Sequence, residues 1–231
     1  MASTPAADDG TGERSATRLI AEGVLDGELA GLLWSLLEGG VPLVVATRHG
    51  EAAATEVRSA FAALVGSGHA TADGALPGGT VHADSLEDLM RFSGAEHLDD
   101  VPDEARDLGV VLVLGRATPG EPLRLVRAHY VRPIERDAAG HIQRRPPALL
   151  SAWDEQAARL DHFFWAITDE LATRVGSDAH DFDVAHRRRV RLLNDLAAAR
   201  VFEADEIRRH IERAALVEAG TRGAAQADAP N

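Results

Sequence analysis

From Asp26 the chain reads DGELAGLLWSLLEGG, with Leu29, Leu32, Leu33, Leu36 and Leu37 at helical spacing between an aspartate suited to an N-cap and Gly39 as a stop. This predicts an amphipathic helix. PLVVA follows as a short unbroken apolar run, the pattern of a strand buried on both faces, and EAAATEVRSAFAALV then sets Val57, Phe61 and Leu64 on one helical face. Glycines, Pro77 and small residues from Gly66 to Gly79 predict a loop, and TVHADSLEDLMRF a short strand and a helix opened by an Asp or Ser cap. The order strand, helix, strand implies parallel strands joined by right-handed crossovers. LGVVLVLGR reads as another buried strand, PLRLVRAHYVRPI alternates with period two, and a turn at Asp137 to Gly140 leads into HIQRRPPALL, an antiparallel meander on one sheet edge. After Trp153 the pattern is helical throughout: around LDHFFWAITDELATRV, along DFDVAHRRRVRLLNDLAAARV, and along EADEIRRHIERAALVEAG, with Asp181 and Glu203 near the starts of the last two. The expected organisation is an α/β core over residues 17–152 and a C-terminal helical subdomain over 153–219. Residues 1–16 and 220–231 lack apolar periodicity and read as loose tails.

Charge and composition narrow the classes of function. Acidic residues outnumber basic ones 37 to 24 in 231 residues, a formal net charge of −13 that disfavours nucleic acid and anionic lipid as partners. Lysine is absent, so every basic side chain is an arginine. The absence of cysteine removes disulfides, thiolate catalysis and thiolate metal sites together, which fits a reducing cytoplasm. No apolar run reaches the roughly 18 residues of a membrane span, and MASTPAADDGTGERSAT is acidic and small where a leader is basic then apolar. A soluble, untargeted protein is expected.

The stretch LVVATRHGEAAATEV has the layout of a phosphate-binding loop: strand, glycine-bearing turn, helix. A working loop of the form G-x-x-x-x-G-K-[ST] needs glycines so that amides converge on phosphates, a lysine for the terminal charge and a hydroxyl for magnesium. Aligned to it, Thr47 takes the first glycine position, Gly50 an intermediate one, Ala52 the last glycine, Ala53 the lysine and Ala54 the hydroxyl, with Thr55 next. The helix start still offers unpaired amides, but Glu51 opposes a polyphosphate there.

Three stretches together resemble the secretion ATPases that power type II and type IV secretion, type IV and tight-adherence pili and the archaellum. LIAEGVLDGELAGLLWSLLEGGVPLVVA is similar to the family's leucine-rich helix and strand before the phosphate loop. GTVHADSLEDLMRF resembles its histidine box, T-[IV]-H-A-[DN]-S followed by a helix, introduced by SGHAT at Ser67 to Thr71. WDEQAARLDHFF and HRRRVRLLNDLAAARVFEADEIRRHI resemble the closing strand and helices of the archaeal branch, so the likeness runs from Leu19 to Ile211. It implies a partial RecA-like sheet of the P-loop NTPase type, with His82 as the nucleotide-sensing histidine beside Asp84 and Ser85. The family places on the order of a hundred residues, with the Walker B strand, between loop and histidine box; here Ser67-Gly68-His69 follows the loop helix almost directly. What remains implies a truncated, degenerate pseudo-ATPase with no catalytic residue, cofactor or metal, and His82 kept as a hydrogen-bonded structural residue at a strand end. The three strands that survive would stay contiguous, leaving a raw edge beside the histidine-box strand. Partners implied by the resemblance are a pilus or secretion motor ATPase or its membrane platform, at the inner face of the membrane, with a homo-oligomer as a further expectation. A site completed in trans by a full-length subunit, or an interaction module outside secretion, are the alternatives.

Other clusters read as structural. His180, Asp181, Asp183 and His186 bunch together but lack the i, i+4 spacing of a helical metal pair. Arg187, Arg188, Arg189 and Arg191 form a basic run expected to be a solvated helix face paired with nearby carboxylates. Trp34, Phe163, Phe164 and Trp165 are expected in the core, except that three adjacent aromatics cannot all face one side.

Overall fold

The computed structural model describes residues 14–62, 64–65, 76–92, 108–116, 122–133, 135–143 and 145–227. Ser15 caps the first helix, α1 (Ala16–Ala21), and Asp26 caps α2 (Gly27–Glu38), its Oδ1 accepting the Leu29 N–H at 3.0 Å. Gly39 closes α2, and β1 (Leu43–Ala46), α3 (Glu51–Ala62), β2 (Gly78–Val81), α4 (Leu86–Phe92) and β3 (Gly109–Gly115) follow. β4 (Arg124–Val131) begins the antiparallel half; β5 (Glu135–Arg136) and β6 (Ile142–Gln143) form a separate small ladder around the Asp137–Gly140 turn. β7 (Ala148–Asp154) and β8 (Arg159–His162) complete the main sheet, and α5 (Thr168–Arg174), α6 (Ala179–Ala198) and α7 (Ala204–Ala227) close the chain.

The protein is α/β, with a six-stranded mixed open sheet in the order β2-β1-β3-β4-β7-β8 and seven helices among the described residues. β1 lies in parallel between β2 and β3, Leu43 facing Gly78 on one side and Val110 on the other. All four β1 residues are buried, because helices cover both faces: Leu43 and Val45 join the cluster that holds Val57 and Phe61 of α3, whereas Val44 and Ala46 join Leu86 and Leu89 of α4. The strands meet tightly where β1 begins. At Gly78, φ is +119° and a Cβ would lie 2.0 Å from the Leu43 carbonyl oxygen, so only glycine fits. Among the described residues β2 is an edge strand.

The larger cluster continues through α2 into α6. Helix α2 is buried nearly all round, and its glycines admit the C-terminal segment: a Cβ on Gly27 would strike Asn194, and one on Gly31 would strike Val190. The order of these contacts makes α2 and α6 antiparallel. Leu171, Phe182, Leu193, Leu196 and Ile207 thus share one core with Leu43 and Leu112, on both sides of residue 153.

Three expectations change. The segment around Leu160 is a strand, not a helix: Asp154 Oδ1 accepts the Gln156 and Ala157 N–H groups at 2.8 and 3.1 Å, turning the chain so that Trp153 pairs with Leu160. The spacing of Leu160, Phe164, Ile167 and Leu171 suits a helix, and the Asx turn outweighs it. At the N-terminal end, Ser15 and Ala16 are buried and belong to α1, not to a tail. At the other end α7 runs past Gly220 to Ala227.

Candidate functional site

The β1–α3 connection is four residues, Thr47 to Gly50, because α3 starts at Glu51. Thr47 N–H donates to the Val81 carbonyl at 3.0 Å, extending the parallel ladder one residue beyond the strands. The Thr47 hydroxyl oxygen, 3% exposed with its residue, accepts the His49 N–H at 3.0 Å, a local ST turn. Gly50 takes φ +110° to enter the helix. One of the few amides a phosphate could use is thereby committed to a threonine.

The histidine-box residues leave β2 beside this turn. Ser85 Oγ accepts the Asp88 N–H at 3.0 Å and so caps α4. Arg48 reaches from the turn to Asp84 at 3.0 Å and to Asp88 at 3.1 Å, clasping the two connections together on the α4 side. On the α3 side the same two connections leave a cleft of about 270 Å3 lined by Thr47, Glu51, Ala54, Thr80, Val81 and His82. The two motifs singled out in the sequence therefore share one site at the carboxyl ends of parallel strands, the usual place for ligands in open α/β sheets.

Of the phosphate-loop positions, Thr47 and Ala54 line this cleft; Ala52 and Thr55 are exposed, Ala53 is half-buried, and Gly50 serves the turn. Of the histidine-box positions, His82 lines it, whereas Asp84 and Ser85 turn toward α4. His82 is exposed and makes no side-chain hydrogen bond among the described residues, contrary to the expected structural role. It follows the last residue of β2, beside which no further strand lies among the described residues. Arg48 and Thr80 lie inside the two quoted stretches, but nothing in the sequence singles either out as a site residue. Arg48 finds its carboxylates about forty positions away, which periodicity does not show; Thr80 faces the cleft through the register Val45 to Thr80.

The other candidates disperse. Asp183 pairs with Arg187 at 2.7 Å, and His186 is buried under Phe164 with Nε2 3.0 Å from the Glu28 carbonyl. Among the described residues no three His, Cys, Asp or Glu side chains gather as a metal would require. Arg189 lies over Trp34 at 5.0 Å and bonds Ser35 and Glu38, whereas Arg187, Arg188 and Arg191 are exposed. Phe164 is buried between Phe163 and Trp165, which are 46% and 49% exposed. Ser151, His162 and Asp26 form a hydrogen-bonded chain of 2.8 and 2.9 Å with the composition of a hydrolytic triad. Ser151 is fully buried and Asp26 already caps α2, so this chain fastens a helix to a hairpin and meets no substrate.

Comparison with models of protein families finds no match, and comparison with curated proteins finds no relative. Among the described residues no helix is long and apolar enough to cross a membrane.

Proposed function

We propose that the protein is a truncated, RecA-like relative of the secretion ATPases that has lost hydrolysis and works by association, as an accessory or assembly component of a pilus or secretion motor on the cytoplasmic face. The observation that carries this reading is the composition of the cleft: the two family motifs converge there, yet its one formal charge among the described lining residues is the Glu51 carboxylate. Ala54 stands where magnesium would need a hydroxyl, and Ala53 where the γ-phosphate would need an ammonium. The order β2-β1-β3 supports the RecA-like frame, since it keeps the loop strand central with its histidine-box neighbour beside it.

Removing a phosphoryl-binding lysine and the metal ligand takes away most of the charge neutralisation on which phosphoryl transfer depends. Purified protein is expected to hydrolyse magnesium ATP no faster than buffer and to give no calorimetric signal at micromolar nucleotide. Turnover abolished by His82→Ala would overthrow the proposal. A subunit that completes a site in trans is the second reading, favoured by the exposure of His82. Stimulation of a full-length motor ATPase on mixing, lost in His82→Ala, would select it over the first.

A further inference from the structure

The sheet ends at β8 on the side away from the cleft, and among the described residues no strand pairs with the outer side of β8. Phe163 N–H donates to the Leu150 carbonyl at 2.8 Å. That bond fixes the alternation of the ladder: Arg159 and Asp161 turn their peptide groups toward β7, at Asp154 and Ala152, and Leu160 and His162 turn theirs outward. Side chains alternate between the two faces of the sheet. Leu160 lies in the core and His162 reaches Asp26, so Arg159, Asp161 and Phe163 stand on the opposite face. The side chains of Arg159 and Asp161 are 72% and 40% exposed, and Phe163 is one of the few large apolar residues left exposed among the described residues. Within one copy the two charges meet through Arg159 Nε and Asp161 Oδ1, at 3.3 Å, which leaves the terminal guanidinium nitrogens and Oδ2 for a neighbour. One charge of each sign, two residues apart on an open edge, is a pattern complementary to its own reversal.

We propose that β8 pairs antiparallel with β8 of a second copy of this chain, Leu160 against Leu160 on a two-fold axis, so that the sheet runs unbroken through a dimer. The charges select this register. An axis at Arg159 sets two arginines opposite each other and one at Asp161 sets two aspartates, and like charges directly opposite are destabilising. An axis at His162 leaves both charges without an opposite sign across the strand. At Leu160, Arg159 of each copy faces Asp161 of the other, in the non-hydrogen-bonded positions where side chains approach most closely, while the outward peptide groups of Leu160 bond each other. Phe163 then falls beside the exposed Ala157 in the turn of the second copy. The occupant of the edge is this chain itself because the reversed charge pattern it needs is the one it carries. The pairing does not rest on the reading of the cleft, which lies at the other end of the sheet.

The test is sedimentation equilibrium of the full chain at physiological ionic strength, where the net charge of −13 is screened, and a concentration-dependent dimer is expected. Arg159→Asp and Asp161→Arg should each weaken the dimer at least about tenfold. An equimolar mixture of these two variants should recover to within about threefold of the parent, because every pair across the axis is again of opposite sign. The chain has no cysteine, so oxidation reads the register directly: Arg159→Cys mixed with Asp161→Cys should give a cross-linked dimer, and neither variant by itself should. A monomer up to about 200 μM would overturn the proposal. So would a dimer indifferent to both charge reversals, such as one through the exposed Leu216 and Val217 of α7, or cross-links formed as readily by either cysteine variant by itself.

Discussion

Single residues show where the chain has no freedom. Gly78 and Gly79 are adjacent in β2, yet a Cβ on the first would collide with the Leu43 backbone whereas one on the second meets nothing within 4 Å. Gly78→Ala should therefore cost about 2–3 kcal/mol through positive-φ strain and collision, and Gly79→Ala less than about 0.5 kcal/mol, measured by urea unfolding. Asp26 works twice, its Oδ1 on the Leu29 N–H and its Oδ2 2.9 Å from His162 Nε2. Asp26→Ala should lower stability by about 1 kcal/mol or somewhat more, with Asp26→Asn retaining most of the cap, in the same measurement. A capping role for Asp26 is legible from its place before a leucine-rich run; its bond to His162 is not, because 136 positions separate the two.

At the scale of elements, the strands and helices from α2 to β3 follow from periodicity and caps, since their buried faces are repeated along the sequence. β8 does not, because its identity is set by a turn at Asp154 and not by its own four residues. The cleft was legible in part: Thr47 and His82 belong to recognisable stretches, whereas the clasp by Arg48 exists only once β1 and β2 lie side by side. On the α4 side of the sheet, His129 of β4 is half-buried, and its pKa is lowered from the ordinary 6.5 chiefly by burial, next by Arg127, with Glu87 of α4 acting in the opposite direction. A histidine lowered in the folded state leaves stability intact above about pH 6.5, and stability falls as pH drops from there through the folded pKa, because the unfolded chain binds the proton more readily. His129→Gln should flatten that loss, and Glu87→Gln should steepen it, in urea midpoints taken between pH 5 and 7.5.

Across the whole molecule, the sheet and the C-terminal helices draw on one buried cluster, which contains Leu43, Leu112, Phe182 and Leu196 together. Unfolding should be a single transition, with far-UV circular dichroism and tryptophan fluorescence from Trp34, Trp153 and Trp165 coinciding in denaturant; separated midpoints would show that the helices melt on their own. The boundary expected near residue 153 falls inside β7, so the change from strand-like to helical pattern marks a change of layer within a shared interior. The glycines of α2 carry that sharing furthest. By letting α6 lie against Gly27 and Gly31, they leave α2 with leucines in the core it shares with the sheet and a second buried face, through Gly27, Gly31 and Ser35, packed on α6. A fragment ending before Asp178 would open that buried face to water, and it is expected to aggregate.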